Sequence, residues 1–490
     1  MRQIPVMKNL IDSIEEHARN NPSKNAIITK NDKLTFNELS RRSSLFANSL
    51  KEFSTDSIIS LFFDNSINFV ISYIGTLKAG LTAHILSPHI SESFFNFQIN
   101  SSNSQLVVAG NKEFDILQNI NTSIKIKKFD HMVSTSKFFP KEIHSSHFAH
   151  LLYTSGTTSE PKGVAITHSN LIFTTQNIVS VLDYDSSDVS LLPLPLHHSF
   201  GLGCLNTSLY SGGQLVLLNN ASELSYILQA IKKFNITTFA AVPATLIKLL
   251  KFHYNEVKKE FPNLRLIITN STSIPPKTVL EFKRLLRNGH IATYYGLTEA
   301  SRSSFMIFEK NLEKDESVGK PAPKVKIKIE NMTNNIGEIW IKGPNVIKQY
   351  WNNPEADQNI VNGWLKTGDL GYFDNDNFLY LAGRLDDVIN VGGEKVFPEH
   401  VERIIKKMSN IEEVVVVGQK HEIFGQTVKA FVKLSSNCTL KKSDILSFCI
   451  KNLEKYMVPT KIEFVNEFPL TEYGKIKRFM LKSGDDSTNV

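Results

Sequence analysis

SIISLFF, residues 57–63, is an apolar run preceded by a helix-like pattern at 37–53. A run this short and this apolar reads as a strand buried on both faces. The same texture recurs on either side of it. Thr82–Leu86 and Gln105–Val108 are further strand candidates, each after a helical stretch. Ser190–Leu194, Gln214–Leu218, Thr238–Val242, Leu264–Thr269 and Ile291–Tyr295 continue the series. Strand–helix alternation of this kind predicts an α/β fold with mostly parallel sheets covered by helices. From about Val318 the texture changes. Lys324–Glu330 and Gly337–Lys342 are short alternating strands divided by Asn-rich turns, which predicts a small antiparallel β unit. Between Lys366 and Gly383, turns are expected at Gly368-Asp369 and at the DNDN run Asp374–Asn377. After Arg384 come the pair Gly392-Gly393, a helix near 398–408, strands at Glu413–Val417 and Val428–Leu434, and a helix near 442–454. That is a small α+β unit. The expected division is a large N-terminal domain over 1–384 and a small C-terminal domain over 385–490.

Composition narrows the class. The chain has 490 residues, 41% hydrophobic and 21% charged, which excludes a disordered, collagen-like or coiled-coil protein. The net charge of +7 is thin and spread out, so no nucleic-acid surface is expected, and an anionic small ligand fits equally well. Cys204, Cys438 and Cys449 lie far apart without metal or redox spacing, so reduced thiols are expected. No apolar run reaches the roughly 18 residues of a membrane span. The start, MRQIPVMKNLIDSIEE, lacks the apolar core of a signal peptide. The expected location is cytoplasmic.

Five segments carry the chemistry. YTSGTTSEPKGV, Tyr153–Val164, is rich in Ser, Thr and Gly and ends near Lys162. Such a loop can aim hydroxyls and backbone N–H groups at phosphate oxygens. It is not a Walker A loop, because the Gly-Lys-Ser/Thr spacing is missing. Alone, it reads at least as well as a polar surface turn. YYGLTE, Tyr294–Glu299, sets an aromatic, a glycine, a hydroxyl and a carboxylate at a strand end, where ligands of open α/β sheets bind. Tyr295 could stack on a base and Glu299 could hold Mg²⁺; alone, the hexamer is more commonly a solvated turn. In GWLKTGDLG, Asp369 could accept two ribose hydroxyls, and in GRLDDVIN, Arg384 could reach a sugar or phosphate. The plain alternatives are an Asx-turn aspartate and a surface arginine. Lys475, in PLTEYGKIKR, taken by itself is a solvated charge in a turn.

Taken in order, TSGTTSEPKG, YYGLTEA, GWLKTGDLG, GRLDDVINVGGEKVFPEHVE and PLTEYGKIKR closely resemble the signature motifs of the adenylate-forming superfamily. That superfamily contains acyl- and aryl-CoA synthetases, adenylation domains of nonribosomal synthetases, and beetle luciferases. The resemblance runs from about Leu151 to Arg478 and is closest in pattern to the acyl-CoA synthetases. It implies residue roles. Thr154, Ser155, Gly156, Thr157, Thr158 and Lys162 fall on the loop that handles the β- and γ-phosphates of ATP. Tyr295 and Gly296 fall beside adenine, Thr298 on an α-phosphate contact and Glu299 on the Mg²⁺ ligand. Asp369 matches the ribose-binding aspartate, Arg384 an arginine that holds the nucleotide, and Asp386 a hinge before a mobile C-terminal lid. Lys475 matches the lysine needed for adenylation, and His198, in HHSFG, a histidine lining the acyl pocket.

The implied activity is ATP-dependent activation of a carboxylic acid through an acyl-adenylate with release of pyrophosphate. Acyl transfer to a thiol follows, coenzyme A first and the phosphopantetheine of an acyl carrier protein as the alternative. Fixed cations are needed because carboxylate attack on the α-phosphorus brings negative oxygens together. After the hinge, the glycine-rich Val391-Gly392-Gly393 is implied to face the thiol site in the second conformation. Two further readings are a catalytically silent nucleotide-binding protein and a luciferase-like oxygenase. Retention of Lys475, Glu299 and Asp369 together argues against the first, and no residue indicates oxygen chemistry. Two departures concern the pocket. Thr269–Ser273 replaces a Gly-Gly-Ala-like stretch, and Gln349 stands where glycine is more usual. PLPLHHSFGLG lacks the aspartate that amino-acid-activating relatives use, so a plain aliphatic or aromatic acid is expected.

Overall fold

The strand at Ile58–Phe62 is buried at every position. It lies inside a seven-stranded sheet whose order is Tyr350–Trp351, Lys162–Thr167, Phe148–Thr154, Thr82–Leu86, Ile58–Phe62, Leu106–Ala109 and Ile126–Lys128. The pairings from Phe148–Thr154 through Ile126–Lys128 are parallel, and Lys162–Thr167 closes that side antiparallel. The helix Ile67–Lys78 follows the strand Ile58–Phe62 and is buried at every position except Asn68. The structure is a computed structural model that describes residues 9–55, 57–132, 142–154, 161–219, 223–270, 274–308, 314–333, 335–435, 440–470 and 476–482.

A second, nine-stranded sheet is parallel from Asn25–Ile28 through Gln214–Leu217, Val189–Leu192, Thr238–Ala240 and Leu266–Thr269 to His290–Leu297. Antiparallel strands finish both edges, with Lys33–Thr35 on one side and Ala300–Phe308 then Lys320–Pro321 on the other. The connecting helices start on side chains that satisfy their first N–H groups. Thr35 and Glu38 form a capping box, as do Thr167 and Asn170, and Ser66 caps Ile67–Lys78. The apolar runs read from the sequence are strands here within a few residues, and the α/β expectation holds.

The chain divides into two compact units. Among the described residues, the first runs to Ile327 and adds Ile341–Leu365; the second takes Lys328–Trp340 and those from Lys366 on. The Arg384 boundary drawn from the sequence therefore falls inside the second unit. Ile336–Lys342 alternates half-buried and buried positions, as its period of two requires. Asp374 Oδ1 accepts from the backbone of Asp376 and Phe378, and Asn377 has φ 62°, so the DNDN turn is present. The turn expected at Gly368-Asp369 is not. Both residues lie inside the strand Trp364–Phe373, where Gly368 takes φ +67° without leaving the strand. The α+β end of the chain builds its own core, with Val401 and Ile405 of helix Pro398–Ile405 packed under Val414, Val416, Val428 and Val432. Among the described residues no helix is long and apolar enough to cross a membrane.

Candidate active site

The YYGLTE segment forms the end of a β-strand and a tight hairpin. His290–Leu297 turns back into Ala300–Phe308, with Leu297 opposite Ala300, so Thr298 and Glu299 are the two loop residues. The register slips between Tyr295 and Leu297, and Gly296 sits at the slip. A Cβ there would lie 2.6 Å from both Ala300 O and Arg302 N, so only glycine lets the backbone pass. Tyr295 is buried and Glu299 half-buried. Glu299 is held from two sides, with its carboxylate accepting from the Tyr350 hydroxyl at 3.2 Å and its carbonyl from Ile347 N at 2.9 Å.

The hydroxyl-rich loop is anchored beside the same tyrosine. Thr154 and Lys162 face each other across the antiparallel pair that flanks the loop. The Lys162 ammonium lies 5.9 Å from the centre of the Tyr350 ring. Tyr350 thus stands between the carboxylate, by a hydrogen bond, and the cation, over its ring, of the predicted site. Sequence reasoning passed over it, since only its neighbour Gln349 stood out. Ser155, Gly156, Thr157 and Thr158 lie outside the described residues, as do Ser271–Ser273.

His198 stands at the N-cap position of helix Ser199–Ser211 without a side-chain cap bond, beside His197, with ring centres 4.5 Å apart. Burial pushes His198 down to about 4. Burial, then repulsion from His198 and His89, takes His197 down to about 3. Both imidazoles are therefore neutral near pH 7 and can take part only as neutral donors or acceptors.

Behind this helix start lies a residue the sequence reading did not single out. Arg302 is 4% exposed and has φ 53°. Its Nη1 donates to Ser199 O at 2.9 Å and to Ser301 Oγ at 2.7 Å, and Nη2 donates to Phe200 O at 3.2 Å. The guanidinium carbon lies 4.6 Å from the Tyr294 ring centre. Gly203 leaves the space it fills, because a Cβ there would come within 2.2 Å of Nη2. Arg302 lines a cavity of about 50 Å³ with Thr298, Ser301, Asn345 and Asn206. The available signal was position: Arg302 follows Glu299 closely in LTEASR.

The second unit carries its own predicted residues. Asp369 and Arg384 are opposite one another on adjacent strands, and Arg384 Nη1 donates to Asp369 Oδ1 at 2.6 Å. Asp369 is 9% exposed. Asp386 lies in the short helical turn Leu385–Asp387 directly after Arg384. Gly392 and Gly393 form the turn between Ile389–Val391 and Glu394–Val396, with φ 60° and 98°, a backbone that side chains resist. Lys475 lies outside the described residues. The chain beyond it is held, because Arg478 donates to both carboxylate oxygens of Glu402 at 2.6 and 2.9 Å and to Val416 O.

The profile of the AMP-binding enzyme family matches residues 14–351, and that of the AMP-binding enzyme C-terminal domain matches 400–475. The chain belongs to the AMP-binding enzyme family. It is an adenylate-forming enzyme of the acyl-CoA ligase type. An oxalate–CoA ligase of Arabidopsis thaliana is 32% identical over 450 residues, covering 86% of this chain and 87% of its own length. The ATP-bound MatB of Rhodopseudomonas palustris superposes with a TM-score of 0.89 at 25% identity, covering 97% of this chain and 98% of its own. The o-succinylbenzoate coenzyme A synthetase of Bacillus subtilis, in complex with ATP and a magnesium ion, gives 0.83 at 28% identity, covering 96% and 98%. Among the described residues, the chain's motif residues fall on both units.

Proposed function

We propose that this chain activates a carboxylic acid with ATP to an acyl-adenylate, releases pyrophosphate and passes the acyl group to coenzyme A. The observation that carries it is the meeting of Glu299 and Lys162 on Tyr350 at the base of the hydroxyl-rich loop. A carboxylate and a cation gathered on one tyrosine suit a metal–triphosphate, the one holding Mg²⁺ and the other a phosphate oxygen. Mg²⁺ keeps several waters and takes one or two carboxylates plus phosphate oxygens, so a single glutamate fits it. When bound, the ion would neutralise charge on the triphosphate. Thr154 and the loop after it would hold the leaving pyrophosphate. Thr298, beside Glu299 in the hairpin, would contact the α-phosphate, and Tyr295 and Gly296 would flank adenine.

Asp369 would accept from the ribose, with Arg384 fixing its orientation and neutralising part of its charge. Lys475 would bring its cation to the oxygens gaining charge in adenylation. Asp386 is the proposed hinge, and Gly392-Gly393 the backbone that lets a pantetheine thiol approach closely. His198, neutral by burial, would line the acyl pocket and orient the reacting carboxylate by a hydrogen bond.

The test is pyrophosphate release over a panel of carboxylic and amino acids, with ATP and Mg²⁺, with coenzyme A or with a phosphopantetheinylated carrier protein. Acid-dependent pyrophosphate and a coenzyme A thioester are expected. Pyrophosphate without any thioester to coenzyme A, but with acyl carrier formed, would move the acceptor to the protein. No pyrophosphate with any acid would overturn the reading.

A further inference from the structure

We propose that Arg302 receives a second anionic group on the acid substrate, so that this enzyme activates dicarboxylic acids. The proposal deepens the ligase reading above and rests on it for the chemistry of the first carboxylate.

Arg302 is buried, and it donates to backbone carbonyls and a serine hydroxyl, with an aromatic face beside it. Among the described residues no carboxylate pairs with it. Arg265, Arg284, Arg384 and Arg478, by contrast, each pair with an acid. The walls near Arg302 supply no hidden charge either: His150 is held neutral by burial, its titration pushed down to about 3. A desolvated cation with neutral partners only is costly, and an anion that enters beside it recovers that cost.

Geometry adds direction. Arg302 Nε is buried and makes no hydrogen bond among the described residues. The cavity it lines also holds the unpartnered amide oxygens of Asn206 and Asn345. Those oxygens accept and do not donate, so they turn an anion toward the guanidinium. The volume of about 50 Å³ is a few water-sized spheres, room for a carboxylate and little more. The same cavity is bordered by Thr298 of the nucleotide hairpin and by Ser199, next to His198. The second anion would therefore sit close to the activated end, which favours short diacids. A left-handed backbone at a buried arginine is uncommon and is the kind of local strain that collects at binding sites.

The experiment compares shape-matched pairs: oxalate with 2-methylpropanoate, malonate with 3-methylbutanoate, succinate with 4-methylpentanoate. Pyrophosphate release is measured on the full chain, and thermal stabilisation by each acid alone gives a readout that needs no turnover. At least one diacid should exceed its partner in kcat/KM by about tenfold or more, because an unmet buried polar group penalises the apolar analogue. Arg302→Met should bring that ratio to one or below, and Arg302→Lys should keep part of it. If Arg302→Met does not fold, the wild-type pairs and Arg302→Lys decide. A wild-type preference for every branched monoacid, or a diacid preference that Arg302→Met leaves intact, overturns the proposal while the ligase reading stands. Stabilisation by a diacid that depends on Arg302, with no pyrophosphate from any acid, supports the anion site and overturns the ligase reading.

Discussion

Arg384 and Asp369 face each other in register on paired strands, joined through one carboxylate oxygen at 2.6 Å. The pair commits Oδ1 of the proposed ribose acceptor before any nucleotide arrives. Arg384 is 42% exposed at its side chain, so the ion pair itself adds little stability. Its effect is orientation. Asp369→Ala should weaken ATP binding by about 1–3 kcal/mol, the cost of leaving ribose hydroxyls unmet in a closed site. Calorimetry with ATP and 2′-deoxy-ATP reads it. The wild type should prefer ATP and the variant should lose that preference; equal affinities in the wild type would remove the role.

Lys475→Ala should lower acyl-adenylate formation by on the order of 10²–10³, the scale of losing one charge aimed at a developing anion. Thioester formation from supplied acyl-adenylate should fall far less. Single-turnover measurements of the two half-reactions separate the effects, and equal losses would contradict a lysine that acts only in the first step.

Tyr350→Phe deletes the hydroxyl that donates to Glu299 while keeping the ring beside Lys162. A hydrogen bond to a charged group is worth about 1.5–3 kcal/mol, so kcat/KM for ATP should drop by roughly tenfold or more. The apparent Mg²⁺ requirement should rise with it. Tighter Mg²⁺ dependence in the variant would mean that the hydroxyl competes with the cation.

Glu399 supplies a pH dependence. Burial first, then repulsion from Glu402 and Asp387, raises its carboxyl from 4.5 to about 7 despite the opposing pull of Arg478. The folded protein then binds more protons than the unfolded chain between about pH 4.5 and 7. Its stabilising contribution is full below 4.5 and is lost as pH rises through 7. Glu399→Gln should flatten that part of the Tm-against-pH curve and raise Tm above pH 7. An unchanged curve would show that Glu399 ionises normally.

Much of this was legible because the chain repeats short-range rules. Thr82–Leu86 is apolar for most of its length and buried at every position, and Ile336–Lys342 alternates as its sequence does. Thr154, Lys162, Tyr295 and Glu299 sit in motifs read as linear strings. Gly368-Asp369 misled because glycine beside aspartate is turn chemistry, whereas here strand pairing on both sides keeps both residues in the strand, with Gly368 left-handed. Tyr350 and Arg302 were not legible for another reason. Their importance arises from partners far along the chain, Glu299 for the first and Ser199 with Phe200 for the second. No local pattern encodes such a meeting.

Gly203 and Arg302 also bear on how such an enzyme changes over generations. A methyl group at position 203 would press within 2.2 Å of the arginine's Nη2. Gly203 therefore cannot gain a side chain while Arg302 is kept in place. A lineage that replaces Gly203 must shorten or displace residue 302, and one that has lost Arg302 is released to fill the helix face with a larger side chain. The two sites should covary among descendants, and the route between two substrate preferences changes residue 302 before, or together with, residue 203.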